Sequence, residues 1–275
     1  YAACPDITLT VTPDIKQTGS DLLLVDLSGG GHNRLGGSAL AQVYGQVGDE
    51  TPDMNNPDVV RSAFLVTQEL ISKRRILAGH DRSDGGLITS ILEMAFAGDT
   101  GIELGIELRN GLFDQLFSEE LGLILEVSAE DTTEIAAAYT SKGIPCHRLG
   151  QTTNTKSVVI RQGSNTVLQD TVCALRAIWE ETSYQLDRLQ ADPGCVDEER
   201  AVNRQRTAPS YGLSFKPKIT VLHTARPKVA ILREEGSNGD REMASAFYQA
   251  GFESWDISTS DLATGKTTLD GFSGV

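Results

Sequence analysis

From residue 21 to residue 170 the apolar pattern keeps changing period, and this restricts the fold more than any other feature. Leu22-Leu-Leu-Val-Asp-Leu27 is an apolar run of strand length. The next segment sets Leu35, Ala39, Leu40, Val43 and Val47 on one helical face. Asn56-Pro57 reads as a helix start, with Asn as N-cap and Pro at the first helical position. That helix is expected to turn Val60, Phe64, Leu70 and Ile71 toward a core. Ile76–Ala78 reads as a short strand, and a helix carrying Leu87, Ile88, Ile91, Leu92, Ala95 and Phe96 stops at Gly98. Ile102, Leu104, Ile106 and Leu108 alternate as a half-buried strand. A short helix (112–118), a strand (121–127) and a helix ending at Gly143 follow, with strands near 147–149, 157–161 and 166–168. Ile7–Val11 also alternates and reads as a strand. The expected class is α+β or α/β, a mixed sheet covered by helices.

Beyond residue 171 the character changes. Val172, Leu175, Trp179, Thr182, Leu186 and Leu189 follow 3–4 spacing, which predicts one long helix with a single packing seam. Residues 191–227 are polar, contain Pro193, Pro209, Pro217 and Pro227, and read as a linker. A second unit then opens with strand 229–232, a loop from Glu234 to Asp240, a helix carrying Met243, Phe247 and Ala250, and strand 254–257. The chain starts at Tyr1 and stops just after a turn-like stretch, so a piece of a longer polypeptide is expected.

A net charge of −14 argues against nucleic acid or an anionic membrane as the main partner, because phosphate surfaces reward positive charge. It leaves room for a small phosphorylated ligand whose site recruits Mg²⁺. Cys4, Cys146, Cys173 and Cys195 form no CxxC pair, which fits a reducing cytoplasmic setting better than a zinc ribbon. No apolar run reaches the roughly 18 residues of a membrane span.

Three segments invite a functional reading. Gly29–Gly37 follows a strand and opens a helix, yet no frame gives G-x-G-x-x-G, so it reads as a flexible turn. Gly150–Ser157 resembles a phosphate loop with Thr155 in place of the second glycine, and reads as a hairpin-like loop. His80-Asp-Arg-Ser-Asp-Gly-Gly86 carries more charge than a turn needs. Ser83 or Asp84 would cap the helix that follows. The same geometry would also serve a ligand: Asp81 as an Mg²⁺ ligand, Ser83 as a donor to phosphate, Asp84 as the cap. The residues themselves leave cap and site evenly balanced. His32, His147 and His223 are scattered and suggest no catalytic grouping.

Leu35-Gly-Gly-Ser-Ala-Leu-Ala-Gln42, His80–Gly86 and Phe117-Ser-Glu-Glu-Leu-Gly122, taken in order, resemble phosphoribosylformylglycinamidine synthase in its large single-chain form. Trp179-Glu-Glu-Thr-Ser183 and Gln185-Leu-Asp-Arg-Leu189 continue the likeness, and Arg226–Gly239 resembles the start of that family's glutaminase domain. The resemblance implies that 1–20 end a second A-type synthetase domain. It makes 21–175 the second C-type domain, like the C-terminal domain of aminoimidazole ribonucleotide synthetase. Residues 176–226 would be the long helix and linker, and 227–275 the first βαβ unit of a triad-type glutaminase. It implies ATP/ADP and Mg²⁺ as cofactors, with Asp81 on the metal and Ser83 on the nucleotide. Formylglycinamide ribonucleotide, glutamine and ATP would be partners of a monomeric intact enzyme. The glutaminase Cys, His and Glu would lie beyond Val275, so these residues alone are expected to be inactive. The rival reading is a non-catalytic nucleotide-binding module sharing the fold.

Overall fold

The computed structural model describes residues 6–106, 111–203, 212, 214–216 and 226–275. It divides into two compact units, Tyr1–Arg206 and Thr207–Val275. Leu108, Cys4, Pro209, Pro217 and His223 lie outside the described residues.

The first unit is built on a seven-stranded sheet. Its strands are β1 (Asp21–Asp26), β2 (Ala78–Asp81), β3 (Gly101–Ile106), β4 (Gly122–Val127), β5 (Cys146–Thr153), β6 (Ser157–Gln162) and β7 (Asn165–Thr171). The order is β2-β4-β1-β5-β3-β6-β7, and every neighbouring pair is antiparallel except β3 with β6. The sheet is therefore mixed, as expected.

Alternation along the strands sends side chains to two faces, and both are covered. One face (Leu22, Leu24, Ile102, Leu104, Ile124) packs under α3 (Gly86–Gly98), through Leu87, Ile91 and Met94. The other (Leu23, Val25, Leu125, Val127) packs under α2 (Pro57–Ser72) and α5 (Thr132–Thr140), through Val66, Leu70, Ile135 and Tyr139. Thr67 and Tyr139 join hydroxyls at 2.8 Å between these two helices.

Several sequence expectations are corrected. Ile7–Leu9 is a 3-10 turn, because Asp6 Oδ1 accepts from the Thr8 amide and hydroxyl and satisfies the chain locally. The helix α1 (Ala39–Val43) is short, and Val43 and Val47 are 81% and 77% exposed. The chain folds back there: Gly36 and Gly37 donate to Glu50 O and Val47 O, which ends the helix face early. In α2 the buried stripe is Ala63, Val66 and Leu70, and Phe64 points outward. Residues 154–156 do not close a hairpin, since β3 lies between β5 and β6. Gly101 sits under that connection, where a Cβ would come within 2.6 Å of Thr153 Oγ1 and 2.8 Å of Ser157 O.

The seam from 172 to 189 is split into α6 (Val172–Trp179) and α7 (Glu181–Gln190) at Glu180, which ends one helix and starts the next. The expected linker begins with another helix, α8 (Pro193–Asn203), which holds Cys195. Asp192 caps it through the amides of Gly194 and Cys195. Tyr184 ties α7 to α8: its hydroxyl meets Asp197, and the Arg200 guanidinium stacks 3.9 Å from its ring.

The second unit has parallel strands β8 (Lys228–Arg233) and β9 (Glu253–Ser258), with α9 (Asp240–Gln249) between them in sequence and α10 (Thr259–Ala263) after them. This is the βαβ order expected there.

Candidate functional site

β2 is an edge strand, and the polar segment 80–86 runs from its last residues to the start of α3. Asp81 ends the strand opposite Leu123, with its side chain 75% exposed. His80 Nδ1 lies 2.7 Å from Asp81 O, and its Nε2 lies 3.4 Å from Glu93 Oε2. The Ser83 amide donates to Ser90 Oγ at 3.2 Å, and Ser90 in turn donates to Gly86 O. Ser83 Oγ is 3.5 Å from Ser90 Oγ.

Asp84 is not the cap. Gly85 takes the N-cap position in the left-handed region (φ 83°) and accepts no side-chain help of its own. The anion at this helix start is Glu119, whose Oε1 accepts from the Gly85 amide at 2.8 Å. The same oxygen accepts from the Ala39 amide, also at 2.8 Å, at the start of α1. One carboxylate thus joins two of the segments singled out from sequence, and it belongs to the third. Gly86 is equally constrained: a Cβ there would fall 2.6 Å from the Phe117 carbonyl carbon.

Arg82 is the loop's buried member. Its amide extends the strand ladder to Gly122 O at 2.9 Å. Its side chain, 2% exposed, donates from Nε to Glu120 O (2.5 Å) and from Nη2 to Leu121 O (3.0 Å). Burial pulls the Arg82 pKa down, and the charges of Asp26 and Glu120 oppose that shift. Glu120 is fully buried and holds Arg34 at 2.6 and 2.8 Å, accepting from Nε and Nη2. Burial pushes the Glu120 carboxyl up, but the Arg34 hydrogen bonds outweigh it and the net pKa is lowered.

The structure therefore brings Asp81 and Ser83 into one ordered loop and pins that loop to Arg34–Ala39 and Phe117–Gly122. Sequence reasoning named all three segments but missed Glu119 as the shared cap. No local spacing links residue 119 to residues 39 and 85; adjacent carboxylates Glu119-Glu120 without nearby cations were the available hint. Among the described residues no group of three or more His, Cys, Asp or Glu could hold a metal. Asp81 could supply one exposed, hard oxygen ligand, and the remaining ligands would have to come from elsewhere. Cys146 is half-buried, and burial pushes its thiol up to about 12. Among the described residues no helix is long and apolar enough to cross a membrane.

A model of the family AIR synthase related protein, C-terminal domain, matches residues 17–162. The chain belongs to that family. Outside this AIR synthase related domain, the model for the CobB/CobQ-like glutamine amidotransferase domain matches residues 226–275. Phosphoribosylformylglycinamidine synthase of Homo sapiens is 49% identical over 286 residues, covering 100% of this chain and 21% of its own length. The Arabidopsis thaliana protein named "Probable phosphoribosylformylglycinamidine synthase, chloroplastic/mitochondrial" is 46% identical over 283 residues, covering 100% of this chain and 20% of its own. The chain thus spans about a fifth of the length of these curated relatives. Among solved structures, "T. maritima PurL complexed with FGAR" superposes with a TM-score of 0.52 at 13% identity, over 62% of this chain and 30% of that one. At that identity the likeness shows the fold alone.

Proposed function

We propose that this AIR synthase related domain and the amidotransferase start that follows it form part of a phosphoribosylformylglycinamidine synthase. That enzyme converts formylglycinamide ribonucleotide, ATP, glutamine and water to formylglycinamidine ribonucleotide, ADP, phosphate and glutamate in purine synthesis. The observation that carries the reading is identity of 46–49% along the whole chain to two relatives bearing that name. The domain boundaries set out from sequence (1–20, 21–175, 176–226 and 227–275) belong to the same proposal, as does a cytosolic, monomeric intact enzyme.

In this reading the loop 80–86 holds an Mg²⁺–nucleotide. Asp81 would give one carboxylate oxygen to the metal, and the Ser83 hydroxyl would donate to a phosphate oxygen. The metal, when bound, supplies positive charge against the phosphates. The rest of the work falls to positioning. Arg82 fixes the backbone between Asp81 and Ser83 by anchoring to Glu120 and Leu121. Glu119 takes up the Gly85 amide, so that donor is committed to the protein and not to a ligand.

Calorimetry with Mg²⁺–ADP on the full-length protein tests this. Asp81→Asn is expected to weaken binding at least tenfold, and Ser83→Ala to cost about 1 kcal/mol for one lost hydrogen bond. Equal affinity in wild type and Asp81→Asn would remove Asp81 from the site.

A further inference from the structure

Residues 81 and 82 face opposite sides of the sheet, and the Arg82 side carries a cavity that the nucleotide reading does not use. Asp81 borders a groove with Ile71, Leu123 and Leu125 on the α2 face. Arg82 lines a cavity of about 550 Å³ on the α3 face, with Leu24, Leu87, Ile106 and Leu149 as its apolar floor. That volume suits a small molecule.

The charged side chains on this face are Arg82 and one carboxylate, Asp26, with the His147 imidazole beside them. Arg148 also borders the cavity, but its register with Leu23 turns its side chain to the α2 face, where Asp21 holds it at 2.7 Å. Arg82 is not matched in that way. Its nearest carboxylate oxygen among the described residues is Asp26 Oδ1 at 3.6 Å, beyond hydrogen-bond distance, and its donors go to backbone carbonyls. Arg34, by contrast, holds its carboxylate at 2.6 Å. A desolvated guanidinium without a hydrogen-bonded anion is an under-compensated charge, and it favours an anion entering from the cavity. Gly30 and Gly31 add an edge with no side chains, so an oxyanion can approach the backbone. Asp26 is 12% exposed and would accept from a hydroxyl beside the oxyanion.

We propose that this cavity binds the oxyanion end of a small polar metabolite, between Arg82, His147 and the Gly30–Gly31 turn. The site is separate from the Asp81 loop and does not depend on the nucleotide reading.

The test titrates the full chain with inorganic phosphate, glycerol 3-phosphate and succinate, reading Gly30, Gly31 and His147 amide shifts by NMR. Saturable shifts with at least one probe are expected. Tighter binding of glycerol 3-phosphate than of phosphate would assign a phosphate monoester; tighter phosphate would assign the free ion; tighter succinate, a carboxylate. His147→Ala is expected to weaken binding about tenfold, as loss of one charge-assisted hydrogen bond would. Asp81→Asn should leave the probes' affinity unchanged, and His147→Ala should leave Mg²⁺–ADP affinity unchanged. The proposal falls if no probe saturates below about 10 mM, if His147→Ala binds as wild type, or if Asp81→Asn alone abolishes binding.

Discussion

The chain contains two strand-to-helix loops of nearly the same local design. Ser83-Asp84-Gly85 leads into α3, and Ser237-Asn238-Gly239 leads into α9. Both helices have a left-handed glycine at the N-cap, φ 83° at Gly85 and 96° at Gly239, and neither has a side-chain cap. They differ in where the anion comes from. α9 carries Asp240 and Glu242 in its own first turn, and its loop is held by bonds between Glu234 and Ser237. α3 has no acid in its first turn and borrows Glu119 from 34 residues away. A helix start satisfied locally is a turn and nothing more. One satisfied from a distance is fixed relative to other segments, and that fixation is what a binding loop requires.

Trp179 and Trp255 report on the two units separately, so single-tryptophan variants can test the contrast in denaturant. The largest effect is expected from Arg82→Met, which strips the carbonyls of Glu120 and Leu121 of a buried donor and should destabilise the Trp179 unit by about 3 kcal/mol. A loss under about 0.5 kcal/mol, the size typical of a surface change, would make the first loop as local as the second. Next comes the glycine pair. Gly239→Ala meets no atom within 4 Å, so its cost should be the left-handed backbone alone, about 1 kcal/mol. Gly86→Ala (φ 74°) adds a clash with the Phe117 backbone and should cost at least about 2 kcal/mol. Equal costs would dissolve the distinction.

Acid should act on the same contrast. Burial raises the Glu120 and Asp21 carboxyls, but hydrogen bonds from Arg34, and from Arg148 and Thr132, bring both net pKa values below normal. A carboxyl with a folded pKa below its unfolded one adds stability above its unfolded value, and loses it as pH falls through the folded value. The first unit should therefore weaken progressively below about pH 4.5, the ordinary glutamate range. Arg34→Met should flatten that dependence, and an unchanged acid profile would contradict the role given to Glu120. The smallest effect is expected from Glu119→Gln, which keeps an acceptor for both amides but loses the charge, about 0.5 kcal/mol. It should show at Trp179 and not at Trp255.

Much of the fold was legible because period and punctuation are local. Asn56-Pro57 started α2 as read, and Gly98 closed α3. Asp192-Pro193 carried the same helix-start signal as Asn56-Pro57, yet its polar, proline-marked surroundings read as linker. The seam through Trp179 read as one helix because spacing reports which face is apolar and not whether the axis continues past Glu180. The strand order of 5, 3 and 6 was out of reach, since nothing in residues 150–157 says that β3 will slip between their flanking strands.

The same division runs through the candidate site. The sequence by itself determined that a charged, glycine-ended loop joins a strand to a helix, and it named Asp81 and Ser83 within it. Residue type and spacing suffice for that, because a cap and a turn are made by neighbours in the chain. Only the tertiary structure decided that Glu119 and not Asp84 meets the helix start, that Arg82 is buried, and that Asp81 and Arg82 open onto different faces. Those outcomes depend on which distant segment supplies the partner for each buried charge or amide, and a buried polar group takes the partner that the folded chain brings within reach.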